Sequence, residues 1–227
     1  MKKIIFILIL FLLSCETKVT KIFTSGNKYI GEWKNEKPNG DGKMIYNNGD
    51  MYIGEWKDGQ YNGKGTFTYA NGVKYTGEFK DCAPNGIITR ILLDGNIFIG
   101  EFKDGYQIGK GIIIWHSGEK YYGECQDYIC NGQGTFVWNN GNMYKGCWKD
   151  GKQNGYGIFN FANANGMKIV GEWKNGKVDG KATITWENGD KYVGEWKNDK
   201  RTGFGTFTNI NGEIKTGQWL DNKYIGK

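Results

Sequence analysis

Nine glycines stand at a near-constant spacing along the chain: Gly26, Gly49, Gly72, Gly95, Gly118, Gly141, Gly166, Gly189 and Gly212. Every interval is 23 residues except the sixth, which is 25 because Ala162-Asn163-Ala164-Asn165 carries two extra residues. A period of this length marks a repeat architecture, in which one unit is too small to bury a core and stacked units share one. The units run 26–48, 49–71, 72–94, 95–117, 118–140, 141–165, 166–188, 189–211 and, in part, 212–227. They occupy this stretch fully and leave no room within it for a separate catalytic domain. Columns running from Gly31 to Gly217 and from Gly40 to Gly226 hold in all nine units, and one beginning at Gly42 fails only at Ile88 and Ala182 before the truncated last unit.

The spacing inside a unit gives its secondary structure. Tyr29, Gly31 and Trp33 are two apart, so on a strand they share one face while Ile30, Glu32 and Lys34 share the other. Gly40, Gly42, Met44 and Tyr46 alternate in the same way. Each unit therefore reads as a β-hairpin with its internal turn near Asn35–Asn39, and Asn-Gly pairs such as Asn48-Gly49 and Asn71-Gly72 supply tight turns between units. The apolar spacing of three or four that a helix needs is absent. The expected fold is all-β: an elongated, single-layer antiparallel sheet of stacked hairpins. At about 4.8 Å between strands it would span on the order of 85 Å. Bare backbone at Gly31 or Gly42 leaves room for the ring of a neighbouring hairpin to lie flat.

Composition excludes the other routes to a glycine-rich chain. Gly 37 with Pro 2 and no Gly-X-Y triplet rules out collagen, and Trp 9, Tyr 14 and Phe 12 are too many aromatics for a disordered chain. A histidine-dependent enzyme or a multi-histidine metal site would have only His116 to work with.

The segment before the repeats has another character. Lys2 and Lys3 precede an apolar run, Ile4 to Leu13, which meets Ser14-Cys15. The run is too short to cross a bilayer as a helix, which takes about 20 residues, and it fits a secretory signal. Leu12-Leu13-Ser14-Cys15 resembles the bacterial lipobox, which implies a signal peptide at 1–14, lipidation of Cys15 and a tether at 15–25 ahead of the repeat domain at 26–227. The alternative is an ordinary signal peptide with an incidental cysteine. Removing residues 1–14 takes Lys2 and Lys3 from the net charge of +6 and leaves +4. That small excess, with export, argues against nucleic acid as a partner.

Units such as Tyr52-Ile53-Gly54-Glu55-Trp56-Lys57-Asp58 followed by Asn62-Gly63-Lys64-Gly65-Thr66-Phe67 resemble MORN (membrane occupation and recognition nexus) repeats, and the likeness runs from about Gly26 to Lys227. It implies a ribbon of hairpins that serves scaffolding, protein binding and, in some members, membrane or phospholipid association, without catalysis. The third unit departs from the pattern with Asp81-Cys82-Ala83-Pro84 and with Ile88, Arg90 and Leu92 in its second strand. The fifth has Cys125 in the tryptophan column and Cys130, the sixth has Cys147 for glutamate, and the seventh has Ile169 and Ala182. Bends are expected near units three and four and around Ala162–Asn165.

The candidate binding groove is the aromatic stripe: Tyr29, Trp33, Tyr52, Trp56, Tyr75, Phe79, Tyr144, Trp148, Trp173, Tyr192, Trp196 and Trp219. These rings are either a stacking surface, since a single layer leaves part of its stripe uncovered, or simply the core. The acidic column Glu32, Glu55, Glu78, Glu101, Glu124, Glu172 and Glu195, with lysines two residues on, reads as a solvated face of cross-strand charge pairs rather than a charged lane for a ligand. Cys82, Cys125, Cys130 and Cys147 match no zinc spacing; Cys125 and Cys130 can approach across their turn or serve as small apolar fillers. His116 reads as an exposed turn residue, and Gly-x-Gly pairs such as Gly63-Lys64-Gly65 open no helix and are not phosphate loops.

Together these features point to a non-enzymatic, lipid-anchored envelope scaffold, needing no cofactor or metal, that binds protein partners or a membrane surface and self-associates through its sheet edges. The alternative is a secreted glycan- or lipid-binding module that uses the stripe.

Overall fold

The computed structural model describes residues 18–126 and 128–227; the expected signal peptide at 1–14 and Cys15 lie outside them. The described residues contain no helix and form one open antiparallel sheet of 19 strands, each paired with the next in sequence. After β1 (Lys18–Ile22) come the hairpins β2–β3 (Lys28–Lys34, Lys37–Ile45), β4–β5 (Met51–Lys57, Gln60–Thr68) and β6–β7 (Lys74–Lys80, Ala83–Ile91). Then follow β8–β9 (Ile97–Lys103, Tyr106–Ile114), β10–β11 (Lys120–Gln126, Ile129–Val137) and β12–β13 (Met143–Lys149, Lys152–Asn160). The ribbon ends with β14–β15 (Lys168–Lys174, Lys177–Thr185), β16–β17 (Lys191–Lys197, Lys200–Thr208) and β18–β19 (Ile214–Leu220, Lys223–Gly226). The repeat thus sets the hairpin, as its alternation requires.

The two kinds of turn differ. Inside units, two-residue turns such as Asn35-Glu36, Asp58-Gly59 and Asn175-Gly176 have positive φ at both positions, the type I′ geometry whose twist suits a hairpin. The Asn-Gly pairs between units instead end three-residue loops: the Tyr46 N–H donates to the Asp50 carbonyl at 2.9 Å and the Gly49 N–H to Tyr46 at 3.0 Å. Loops of successive units are tied together along both edges. Asp50 Oδ1 accepts from the Ala70 N–H at 2.7 Å and Asp190 Oδ1 from Ile210 at 2.8 Å, while at the other edge Asn39 Oδ1 accepts from Asp58 at 3.1 Å.

Part of the stretch expected as a tether, residues 15–25, is a strand. Lys18–Ile22 is β1, paired along its length with β2, Val19 opposite Gly31 and Lys21 opposite Tyr29. Phe23 then occupies the place Tyr46 holds one unit later, with the same loop bonds, and its ring lies 6.5 Å from that of Trp33. The segment is the second half of a degenerate unit whose burial of Val19 and Phe23 against Trp33 ties it to the sheet.

Packing follows from a bulge repeated in most units. Between Gly31↔Gly42 and Trp33↔Pro38 the register shifts, so that the single residue Glu32 faces three of β3, Asn39, Gly40 and Asp41. The Tyr29 ring lies back over that pair: a Cβ on Gly42 would sit 2.2 Å from its Oη and 2.6 Å from Cε2. Its hydroxyl donates to the Glu32 carbonyl at 2.7 Å, which satisfies a group the bulge removes from the ladder. Tyr52, Tyr121, Tyr144 and Tyr192 repeat the bond. The ring over each glycine pair therefore belongs to its own hairpin, not to a neighbour as the sequence suggested. Tryptophan makes the contact between units: the indole N–H groups of Trp56, Trp148, Trp196 and Trp219 donate to the carbonyls of Gly42, Gly134, Ala182 and Gly205, 14 residues earlier.

In the third unit Ile88 fills the glycine site and is fully buried, so Tyr75 is displaced and half-buried. Tyr75 meets Arg90, whose guanidinium lies 5.0 Å from its ring and 4.8 Å from the Tyr128 ring and donates to the Tyr128 hydroxyl. Tyr128 sits in the β10–β11 turn, three to four strand spacings away, on the order of 15–20 Å in a flat sheet. The contact requires the ribbon to curl toward its aromatic face at units three to five.

Candidate functional site

The structure places most of the aromatic stripe in the core. Tyr29, Tyr52, Tyr144 and Tyr192 are fully buried, and Trp56, Phe79, Trp148, Trp173, Trp196 and Trp219 are buried as well; Trp33 and Tyr75 are half-buried. T-shaped contacts link them, with Tyr52 and Trp56 at 5.3 Å and Tyr192 and Trp219 at 5.1 Å, 76°. Burial, followed by nearby Glu32 and Asp41, raises the Tyr29 phenol to about 12, and burial is the leading cause of the upward shifts at Tyr52, Tyr121 and Tyr144. The expected exposed groove along these twelve residues is not formed, because Tyr29, Tyr52, Tyr144 and Tyr192 fold onto their own glycines and a ring of the next unit, Trp56, Phe79, Trp173 or Trp219, closes over each. Besides Trp33 and Tyr75, partly accessible rings of this face include the column Tyr46, Tyr69, Trp115, Trp138 and Trp186, at the inter-unit edge.

The recess lies on the other face. Residues in the columns of Ile30 and Lys43 stand directly opposite one another from strand to strand, giving in the middle of the ribbon the row Thr89, Ile99, Ile112, Tyr122, Thr135, Lys145. Threonine pairs in this lane bond across strands, Thr66 to Thr76 at 3.1 Å and Thr206 to Thr216 at 3.0 Å. Between β7 and β12 the lane deepens into a groove of about 750 Å³ lined by Ile87, Ile99, Ile112 and Tyr122 together with Glu101, Lys110, Gln133 and Lys145. Ile87 is 62% and Tyr122 42% exposed. A second recess, about 390 Å³, follows the same lane past Tyr156, Val170, Val193 and Phe204. Sequence reasoning passed over this face as solvated, although the β-branched residues at Ile53, Ile99, Ile112 and Val193 were the signal.

The glutamate column has a structural duty. All of these carboxylates but that of Glu101 lie over the bulge glycine of the facing strand: a Cβ on Gly132 would be 2.1 Å from Glu124 Oε2, and one on Gly180 2.0 Å from Glu172 Oε2, whereas one on Gly109, facing Glu101, would meet nothing within 4 Å. Glu55 accepts from the Lys64 N–H at 3.1 Å and Glu172 from Lys181 at 3.4 Å. The expected cross-strand charge pairs are thus replaced, at these two, by carboxylate-to-backbone bonds. His116 is exposed in its loop. Among the described residues no three acidic, cysteine or histidine side chains gather as metal ligands. What the groove offers is aliphatic contact area, hydroxyl groups and charges of both signs.

A family model described as MORN repeat matches residues 29–51, 52–74, 98–120, 121–143, 144–165, 170–191 and 192–214. It passes over 75–97, where Ile88 and Arg90 replace the pattern. No curated protein matches the chain. Among solved structures, a mutant of the TCP10 domain of Danio rerio CPAP is similar over 88% of this chain and 99% of its own, at 12% identity and TM-score 0.46. The Drosophila melanogaster SAS-4 (dCPAP) TCP domain, in complex with a proline-rich motif of Ana2 (dSTIL), is similar over 89% and 90%, at 11% identity and TM-score 0.39. Virginiamycin B lyase from Staphylococcus aureus is similar over 89% and 70%, at 12% identity and TM-score 0.17. None of these three likenesses bears on what this chain binds.

Proposed function

The chain belongs to the MORN repeat family, and on that premise we propose that it is a non-enzymatic scaffold that holds a protein partner in the groove opposite its aromatic core. The observation that carries this reading is the lining of that groove, where Ile87, Ile99, Ile112 and Tyr122 stand partly open to solvent among Glu101, Lys110, Gln133 and Lys145. Exposed apolar area rimmed by charge is a mark of interaction sites. The partner would be a segment whose aliphatic side chains cover Ile99 and Ile112 and whose charges meet Glu101, Lys110 and Lys145. The place of action would be the cell envelope, with Cys15 as lipid anchor; Lys2-Lys3, the apolar run and Ser14-Cys15 support this. Self-association belongs to the same proposal. It is supported by the end strands β1 and β19, which offer unpaired edge backbone among the described residues.

The test compares the tagged chain with the Ile87→Lys, Tyr122→Lys double variant in envelope extracts. A protein recovered by the first and lost with the second, at equal Tm, supports the groove; identical recovery by both rejects it. Mass spectrometry of the mature N-terminus decides the anchor: acylated Cys15 supports it, and a plain cut elsewhere rejects it. The half-buried rings of Trp115 and Trp138 favour a second reading, glycan or lipid contact on the aromatic face of a secreted chain. Tryptophan emission unperturbed by a glycan panel and by lipid vesicles would exclude it.

A further inference from the structure

Of the four cysteines in the described residues, two stand face to face. Cys125 near the end of β10 and Cys130 near the start of β11 are direct cross-strand partners, one step in from the pair Gln126↔Ile129 that closes the turn. In a hairpin closed by a two-residue turn the closing pair exchanges both backbone hydrogen bonds, so the next pair is the non-bonded kind, with Cα atoms about 4.5 Å apart and side chains close. That spacing lies within the range a disulfide spans. The two positions are those at which Trp56 and Tyr61 bring their rings to 5.6 Å in the second unit, so side chains here meet on one face. Both cysteines are buried.

The remaining cysteines cannot substitute for either. Cys82 lies in the β6–β7 turn, and Cys147 projects from the opposite face, against Gly155 and the Gln133 amide.

We propose that Cys125 and Cys130 form a cross-strand disulfide that staples the fifth hairpin when the chain meets an exogenous disulfide oxidant. The staple falls where the indole ties between units run out. Phe79, Phe102 and Cys125 occupy three consecutive places in the tryptophan column, so none has an indole N–H to donate to the preceding unit, and Phe98 lacks the hydroxyl that Tyr29 gives to the bulge.

The two sulfurs have different roles. Burial raises the Cys125 thiol, and Gln107 offsets part of that by donating its amide to Cys125 Sγ at 3.2 Å and to the Cys125 carbonyl at 2.9 Å. Cys130 has burial as its main perturbation, with Cys125 beside it, and its thiol is pushed up to about 12. Cys125 is therefore the attacking thiolate: it displaces one thiolate RS⁻ from the oxidant R–S–S–R and becomes a mixed disulfide. Cys130 then loses its proton to solvent, attacks the Cys125 sulfur and expels the second RS⁻. Two protein thiols are oxidised and one small disulfide is reduced to two thiols. The inference is independent of the proposed function.

The experiment incubates the full chain with glutathione disulfide, alkylates it in denaturant and digests it with trypsin. Cleavage after Lys120 and after Lys145, with no Lys or Arg between them, leaves both cysteines in one peptide, residues 121–145. The expected result is that this peptide is two hydrogens lighter and unalkylated, while Cys82 and Cys147 carry the alkyl group. Both Cys125 and Cys130 alkylated after oxidation would overturn the proposal. A second readout needs no variant: the oxidised chain should melt higher than the reduced one by on the order of 5 °C, and reductant should abolish the difference. Equal melting of the two forms would overturn the staple even if the bond were found.

Discussion

Replacing Gly65 with alanine tests the packing rule of the whole ribbon. Gly65 needs no left-handed backbone, so the cost is steric: the new Cβ would lie 2.2 Å from Tyr52 Oη and 2.5 Å from Cζ. The fully buried Tyr52 ring must leave. The third unit shows where it goes, since Ile88 at the same place leaves Tyr75 half-buried. Re-exposing about half of a roughly 200 Å² side chain, at about 25 cal/mol per Å², costs about 2.5 kcal/mol. Losing the hydroxyl bond to the Glu55 carbonyl adds about 1 kcal/mol, so Gly65→Ala should lose about 3.5 kcal/mol in urea unfolding of the full chain. The molecule also contains the compensating pair: Ala182 occurs in the unit whose tyrosine place holds Ile169. In the background of Tyr52→Ile, Gly65→Ala should therefore cost about 2 kcal/mol less than alone. A loss under about 1 kcal/mol for the single variant, or strict additivity in the double, would refute the reasoning.

Further outcomes follow from the same contacts. Trp196→Phe removes a bond to the Ala182 carbonyl, whereas the Trp173 indole N–H has no acceptor among the described residues; Trp196→Phe should cost about 1 kcal/mol more than Trp173→Phe by urea titration. Gly132→Ala sets a side chain at φ +83° and 2.1 Å from Glu124 Oε2, while at Gly109, φ +69°, a Cβ meets nothing within 4 Å. The first should lose roughly 1–2 kcal/mol more than the second, read the same way. The Tyr29 phenol is raised from 10.0 to about 12. Its neutral form is thus favoured in the folded chain, so its contribution is complete below pH 10, its unfolded value, and is lost as pH rises toward 12. Tyrosinate absorbance should lag behind that of free tyrosine above about pH 10 and then rise together with loss of the sheet signal.

The hairpins, their order and their two faces were legible because period 2 within period 23 leaves few alternatives. What the pattern could not show is which partner a side chain reaches. The Tyr29 ring lies over its own glycines because a bulge sets Gly31 against Gly42, and a bulge is a register event that no column of identities displays. Lys18–Ile22 escaped notice because Val19 stands where later units keep glycine, although Phe23-Thr24-Ser25-Gly26 parallels Tyr46-Asn47-Asn48-Gly49. The groove was hidden for a different reason. Ile99, Ile112 and Tyr122 are 10 or more residues apart, and only the pairing of β8, β9 and β10 sets them side by side.

The division of labour between the two large rings has an architectural consequence. Where both rings are present, tyrosine closes its hairpin on itself and tryptophan fastens that hairpin to the one before, so such a unit can be added or removed by remaking one strand ladder, one indole contact and one line of loop bonds. Length is then adjustable in steps of a single hairpin without redesign of what lies on either side, as on a measuring rod cut from uniform stock.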